Sequence, residues 1–200
     1  MAGDAPPPGG IPHEPNGEPV TEETFYVLPH FQHVDGVGTP NRRVDEAAAR
    51  GRTQAEIAAA ERRLGVTLPE RLKRLYAIQN GGTLDTLRVP LVAEPTADEH
   101  WREVFANGYD VLDPLERLDT LREYYLNWVD PDDPEEAATV PEGAERMIVL
   151  AARYEDVTVL DYAKGDEPEV LVADFESSDR RTDARFSDFD SFFLALRREP

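Results

Sequence analysis

The clearest pattern of apolar and polar positions in this 200-residue chain begins at residue 53. Thr53 and Glu56 have the T-x-x-E spacing of a capping box, in which the two side chains satisfy backbone N–H groups at the start of a helix. Apolar residues then recur at helical spacing, at Ile57, Ala60 and Leu64. Gly65 follows, and glycine readily adopts the left-handed conformation that ends many helices. The pattern predicts a helix over residues 53–64.

A second helix is predicted directly after the first. Pro69 suits its first turn, because the N–H that proline lacks would be unpaired there. The apolar face consists of Leu72, Leu75 and Tyr76, and the run Asn80-Gly81-Gly82 ends the helix. Helices shorter than about 15 residues are marginal in isolation. We therefore expect this helix pair to pack on a larger element downstream.

The C-terminal third has the composition of β-strands. Three apolar runs, at residues 147–152, 157–162 and 170–175, are separated by short turn-rich gaps. These gaps predict an antiparallel meander, because parallel crossovers need a dozen or more residues. The first and third runs are apolar nearly throughout, which indicates strands covered on both faces, with the helix pair as one cover. A final helix follows, with Ser187 and Asp190 resembling its cap and Phe189, Phe192, Phe193 and Leu196 as its apolar face.

The segments before and between these elements predict shorter structure. Residues 24–28 resemble a strand, and residues 44–50 the start of a short helix. Residues 87–92 are predicted as an edge strand, because Pro90 lacks the N–H that a central strand needs. Residues 96–108 are mixed, with Trp101, Val104 and Phe105 at helical spacing.

A middle helix is predicted to open at Asp113 and Pro114, with the aspartate as cap and the proline in the first turn. Its apolar face would consist of Leu115, Leu118, Leu121, Tyr125 and Trp128. Prolines in the run at residues 129–134 end it. Trp101 and Trp128 suit either an interface or the core, and their helical spacing from other apolar residues favours the core.

Together these elements predict an α+β fold. A largely antiparallel sheet is packed by an N-terminal helix pair, with a middle helix and a C-terminal helix. Residues 1–23 are rich in Pro, Gly and Glu, which predicts a disordered tail. Residues 24–200 are then expected to form a single domain of ordinary size.

Charge changes this picture. The chain contains 41 acidic and 21 basic residues, a formal net charge of −20. Such a surface would repel nucleic acid and anionic membranes and would steer a basic protein toward it, although solubility alone would also explain the excess. Residues 94–145 contain 16 acidic and 3 basic residues, whereas residues 53–93 contain 4 and 6. We therefore expect an acidic patch formed by the middle of the chain.

Other features of the composition bear on location and chemistry. The chain has no cysteine, which excludes disulfides and thiol catalysis. Its N-terminus lacks the features of a signal peptide, and no apolar stretch approaches the roughly 20 residues that span a bilayer. We expect a soluble cytoplasmic protein.

The order of these motifs resembles the SUKH superfamily, which is named after a yeast regulator of cell-wall synthesis and is dominated by bacterial immunity proteins. The resemblance covers residues 53–197. It is carried by the T-x-x-E capping box, by L-G-V-x-L-P with Leu68 and Pro69, by the run Asn80, Gly81 and Gly82, by V-L-D-Y with Asp161 and Tyr162, and by the final F-x-x-F-F-x-x-L helix. The family often has Gly-Asp before its L-D-Y strand, where this chain has Tyr154-Glu155-Asp156. The resemblance implies a protein-binding module, often one that occludes the active site of a nuclease toxin.

The motif residues themselves need no chemistry. The N-G-G run is interpreted as a helix stop that needs positive φ, and the D-Y pair as a strand end. We treat them as markers of the fold. The candidate partner-binding residues are instead the acidic run Asp130, Asp132, Asp133, Glu135 and Glu136, whose carboxylates would mimic phosphates for a basic nuclease cleft. Alone, this run is typical of a solvated loop; the resemblance makes the binding interpretation comparable.

Metal binding and catalysis find little support in the sequence. The acidic run lacks the spacing of a calcium loop, and His30 with His33 has no third ligand at helix or strand spacing. The common nucleophile, phosphate-binding and zinc motifs are absent from the sequence. We expect no cofactor, no metal and no catalytic residue.

The sequence therefore predicts an immunity protein that binds and blocks a cognate toxin, with a basic toxin domain as partner. A monomer is favoured, and neither nucleic acid nor membrane is expected to bind. A scaffold or regulatory module that docks a cellular protein is the alternative from a second class. A hydrolase that uses paired carboxylates is a third possibility.

Overall fold

The computed structural model describes residues 17–29, 50–105, 111–127, 129, 132–133, 139–153, 156–174 and 181–198. Four α-helices are described: α1 (Gln54–Leu64), α2 (Glu70–Ile78), α3 (Leu121–Leu126) and α4 (Phe189–Ala195). The strands are β1 (Glu18–Pro19), β2 (Leu28–Pro29), β3 (Gly82–Thr83), β4 (Leu87–Pro90), β5 (Trp101–Val104), β6 (Val111–Leu112), β7 (Met147–Arg153), β8 (Asp156–Asp161), β9 (Glu169–Asp174), β10 (Arg181–Phe186) and β11 (Arg197–Arg198). Short 3₁₀ turns occupy Asp98–His100, Leu115–Arg117 and Ala144–Arg146. None of the described helices is long and apolar enough to cross a membrane.

The main sheet is an antiparallel meander of four strands in the order β10-β9-β8-β7. A second sheet has the order β1-β11-β4-β5, and a small third sheet has the order β2-β3-β6. All described strand pairs are antiparallel, as the short gaps predict. The predicted α+β class is confirmed.

Both faces of the main sheet are buried, which explains why its strands are apolar nearly throughout. One face packs with α1, α2 and α4 in a cluster that includes Ile148, Leu160, Val170, Ile57, Leu72, Leu75, Phe192 and Phe193. The other face packs with α3 in a second cluster that includes Val149, Val159, Leu171, Leu121 and Tyr125. The helix pair is thus one of the two covers, as the sequence predicts.

The first helix begins and ends as its sequence indicates. Thr53 accepts a hydrogen bond from the Glu56 backbone N–H at 3.3 Å, and the Glu56 carboxylate accepts one from the Thr53 N–H at 2.8 Å. Gly65 adopts the left-handed conformation with φ 70°. The second helix begins at Glu70, directly after Pro69.

The predicted middle helix is divided in the structure. A 3₁₀ turn at Leu115–Arg117 is followed by extended backbone, and α3 starts only at Leu121. The extended residues pair with the edge of the main sheet, where the Val149 N–H donates to the Asp119 carbonyl at 2.9 Å and Thr120 bridges to Ile148. Edge pairing therefore outcompetes a continuous helix. The sequence does contain a sign of this division. Thr120 caps α3 and stands three residues before Glu123, which repeats the T-x-x-E pattern of the first helix.

The prediction that residues 87–92 form an edge strand is wrong. Strand β4 lies between β11 and β5 rather than at an edge. Its proline is tolerated because β11 pairs only with Leu87 and Arg88, so that Pro90 lies beyond the reach of β11. Residues 101–104, whose apolar spacing suggested a helix, form strand β5.

The ends of the domain also differ from expectation. Of residues 24–28, only Leu28 lies in a strand, and residues 22–25 form a turn. The final helix is capped by Asp188, which accepts from the Ser191 N–H at 2.6 Å, rather than by Ser187 with Asp190. Strand β10, which the sequence analysis did not predict, completes the main sheet.

Residues 17–23, assigned to a tail from composition, belong to the described fold. Strand β1 pairs with β11, and Val20 and the following Phe25 are buried in the core. A few apolar residues in a polar segment therefore suffice to order it. Residues 1–16, residues 44–49 of the predicted short helix and Trp128 lie outside the described residues.

Candidate protein-binding surface

The acidic run predicted as a partner-binding patch is described only in part. Asp132 and Asp133 are exposed, whereas Asp130, Glu135 and Glu136 lie outside the described residues, as do His30 and His33. Within the described ranges, no group of three or more His, Asp or Glu side chains is arranged to hold a metal ion.

The N-G-G run forms a buried polar junction between α2 and the 3₁₀ turn at Leu115. Asn80 is 1% exposed; its Oδ1 accepts from the Leu115 N–H at 2.9 Å, and its Nδ2 donates to Glu116 Oε2 at 3.0 Å. Arg52 Nε donates to the other Glu116 oxygen at 2.7 Å. Burial alone would raise the pKa of Glu116, but the hydrogen bonds from Arg52 and Asn80 outweigh it and lower the pKa. The buried Asn80 amide is thus satisfied within the protein, whereas the Glu116 side chain that it contacts is 57% exposed.

The second position of the N-G-G run, Gly81, requires glycine. Its φ is 76°, and a Cβ added there would lie 2.6 Å from the Leu112 carbonyl oxygen. Only glycine meets both the conformation and the close approach. The N-G-G run is therefore a fold element, as the sequence interpretation proposed.

The L-P and D-Y motifs, 93 residues apart, meet in space. The Tyr162 hydroxyl donates to the Thr67 carbonyl at 2.7 Å, and Asp161 Oδ1 accepts from the Ala163 N–H at 2.9 Å. Tyr162 is 1% exposed, and burial raises its pKa, so the hydroxyl keeps its proton. This bond fixes the loop before Pro69 against the turn that joins β8 to β9.

A groove of about 480 Å³ lies at this junction; we call it the acidic groove. Its apolar lining residues include Leu68 and Phe189, which are almost fully buried. Five carboxylate side chains also line it, from the start of α2, the β8–β9 turn and the start of α4: Glu70, Asp166, Glu167, Asp188 and Asp190. The groove thus combines an apolar base with a negative wall.

Only part of this charge is neutralised by neighbouring cations. Glu70 pairs with Lys73 at 2.5 Å, and Asp190 pairs with Arg71 at 2.8 Å. Hydrogen bonds from the Ser191 backbone and from nearby serine hydroxyls lower the pKa of Asp188 and keep it ionised.

The β8–β9 turn supplies the two remaining carboxylates. Asp166 and Glu167 are exposed, and within the described ranges neither makes an ion pair. The groove therefore keeps an excess of negative charge.

This groove is not apparent from the sequence, because its carboxylates come from three distant segments. Counting charge along the chain identifies local runs, whereas Glu70, Glu167 and Asp188 are separated by up to 118 positions. The available signal was indirect: Glu70 directly follows the L-P motif, Asp188 directly precedes the final helix motif, and Asp166 and Glu167 follow Tyr162 within five residues.

A comparison with protein families matches residues 51–195 to the SMI1/KNR4 family (SUKH-1). The chain belongs to this family. The region of this SUKH-1 protein that matches contains the main sheet, all four described helices and the acidic groove. Strands β1, β2 and β11 lie outside it. Searches of curated proteins and of solved structures returned no match.

Proposed function

We propose that this SUKH-1 protein is a non-enzymatic immunity protein of the cytoplasm, which binds and blocks a cognate basic toxin domain. The observation that carries the proposal is the acidic groove, built where the family's L-P and D-Y motifs meet. Membership of the family supports protein binding in general. The acidic groove is the surface that we propose for this binding.

The groove has the physical character of a recognition surface. Its wall attracts Lys and Arg side chains, which raises association rates and fixes orientation more than it raises affinity. Its apolar base around Leu68 and Phe189 is already almost fully buried, so binding would remove little further apolar area from water and the charged wall carries the recognition. Because helix α2, helix α4 and the Tyr162 hydrogen bond fix the walls, little ordering is needed on binding.

The pKa of Asp188 favours binding over catalysis. A carboxyl group that acts as a general acid near neutral pH needs a raised pKa. Asp188 has instead a lowered pKa, held down by the Ser191 N–H and the neighbouring serine hydroxyls. Charged carboxylates on an open wall serve electrostatic recognition.

The test is binding and inhibition with the protein encoded by the adjacent reading frame. We expect the two proteins to co-purify and the SUKH-1 protein to inhibit the toxin. Two variants with the same net charge locate the surface: D166N/E167Q in the groove and D132N/D133N in the exposed loop. The groove variant should weaken binding by about tenfold, or ~1.4 kcal/mol, and the loop variant much less.

Two other outcomes would contradict the proposal. If the adjacent product does not bind at micromolar concentration, the protein is not its immunity partner. If it binds and the loop variant loses more affinity than the groove variant, immunity stands but the acidic groove is not the site.

A further inference from the structure

A buried arginine, Arg88, lies in the interior of the second sheet. Its strand, β4, is flanked by β11 and β5, and the adjacent Leu87 and Val89 are fully buried in the core. Because side chains alternate along a strand, Arg88 projects from the other face of the sheet. It is nevertheless only 8% exposed. Burying a charge is unfavourable unless a partner compensates it, so this guanidinium needs an explanation.

Within the described part of the chain, Arg88 has no partner of opposite charge. It makes no ion pair and no hydrogen bond there, and its Nε is buried without an acceptor. The guanidinium lies instead over the Trp101 ring, 4.9 Å from the centroid. A ring contacts the flat face of a guanidinium, whereas the five N–H groups point outward from its edge. The contact with Trp101 therefore leaves the hydrogen-bonding edge of Arg88 unsatisfied.

The charged residues beside Arg88 on the same face do not replace that partner. On β11 it lies directly opposite Arg197, and like charges at such positions are unfavourable. On β5 it lies directly opposite Glu103, which is exposed and makes no ion pair with any described residue. The Arg88 guanidinium is held by Trp101 rather than by this carboxylate. An edge that offers only donors, next to a second arginine, calls for a negatively charged acceptor.

We propose that Arg88 binds a small organic carboxylate on this face of the second sheet. Two parallel N–H groups of a guanidinium match the two oxygens of a carboxylate in spacing and plane. Two arginines beside one glutamate leave a single net positive charge, which favours a singly charged ligand over a doubly charged one. The site uses no residue of the acidic groove, so it does not depend on the proposed binding of a toxin.

The experiment titrates acetate into the isotopically labelled full-length protein, with sodium chloride holding the ionic strength constant. The NMR signals of the Arg88 Nε–H and of the Trp101 indole N–H report the site directly. Sulfate, a doubly charged anion, is the second probe. We expect saturable shifts of both signals with acetate and weaker binding of sulfate. No saturable shift with acetate, or tighter binding of sulfate, would overturn the proposal.

Two substitutions at Arg88 separate its charge from its geometry, with the Trp101 indole as reporter. R88M removes the charge and should weaken acetate binding by about tenfold or more, the effect of losing a charge-assisted hydrogen bond. R88K keeps the charge but not the planar fork, so it should weaken binding by a smaller factor. R62M, at an exposed arginine on α1, changes the net charge equally and should leave the affinity unchanged. Equal losses from R88M and R62M would overturn the proposal, because the effect would then be one of overall charge.

A third substitution tests the carboxylate opposite Arg88. E103Q removes a negative charge next to the site, so acetate should bind more tightly than to the wild type. Binding to E103Q with none to the wild type would show that Glu103 itself fills the position in solution, and it would overturn the assignment of an external ligand.

Discussion

The N-G-G junction and the acidic groove both contain family motifs, yet they use their polar groups in opposite ways. At the junction, the buried Asn80 amide accepts from the Leu115 N–H and donates to the carboxylate of the exposed Glu116. At the groove, Tyr162 fixes a loop from within while Asp166 and Glu167 face solvent. The difference indicates that the motif residues position the groove, whereas the exposed charges beside them are left for the proposed recognition of a partner.

The largest expected loss of stability comes from a substitution at the N-G-G junction. N80A removes the acceptor of the buried Leu115 N–H and one donor to Glu116, so we expect a loss of about 2–4 kcal/mol in the free energy of unfolding. Chemical denaturation measures it. A loss below about 0.5 kcal/mol, the range of ordinary surface substitutions, would show that the junction does not stabilise the fold.

A smaller effect is expected at the motif contact beneath the groove. Y162F removes the hydroxyl that donates to the Thr67 carbonyl, which should cost about 1 kcal/mol of unfolding free energy. The loop before Pro69 should loosen at the same time, which hydrogen exchange of amides near residues 67–70 would report. Unchanged exchange there would mean that the loop is held by other contacts.

The pKa values of Glu116 at the junction and of Asp113, three residues earlier in the chain, are shifted in opposite directions. Hydrogen bonds lower the pKa of Glu116 below its ordinary 4.5, despite burial, so its contribution to stability is present above that pH and is lost as the pH falls. Burial raises the pKa of Asp113 above 3.8, so its contribution is present at low pH and is lost as the pH rises.

Denaturation at several pH values tests this contrast. The stability lost in E116Q should therefore shrink as the pH falls below 4.5, whereas D113N should be more stable than the wild type at pH 7. Parallel pH profiles for both variants would contradict these assignments of charge.

The smallest effect on stability is expected in the groove itself. D166N/E167Q changes two exposed side chains of a turn, so the free energy of unfolding should change by no more than about 0.5 kcal/mol. A change comparable to that of N80A would show that these carboxylates stabilise the fold, and the contrast between the two regions would disappear.

Periodicity and capping signals predicted the parts of the fold that local sequence controls. The helix pair, with Thr53, Glu56 and Gly65 at its ends, follows from such signals, as do the three apolar strands. The divided middle helix does not, because pairing of residues 119–120 with the edge of the main sheet is a long-range interaction that overrides apolar spacing. The prediction of β4 as an edge strand was wrong for a related reason, because its partner β11 comes from the far end of the chain.

The candidate site was less accessible from sequence than the fold. Leu68, Pro69, Asp161 and Tyr162 were identified as markers, and the structure brings them to one place. The acidic groove beside them is formed by folding, because residues near 70, 167 and 188 approach only when the sheet and helices assemble. Charge summed along the chain pointed to the middle segment instead, of which Asp132 and Asp133 are described and exposed.

The most direct test of this account is the salt dependence of toxin affinity for three folded proteins: the wild type, D166N/E167Q and D132N/D133N. If basic side chains of the toxin enter the acidic groove, the plot of log Kd against log salt should be shallower for the groove variant, and the loop variant should keep the wild-type slope. Equal slopes for the two variants would show that the protein presents only diffuse negative charge and would contradict recognition through the groove.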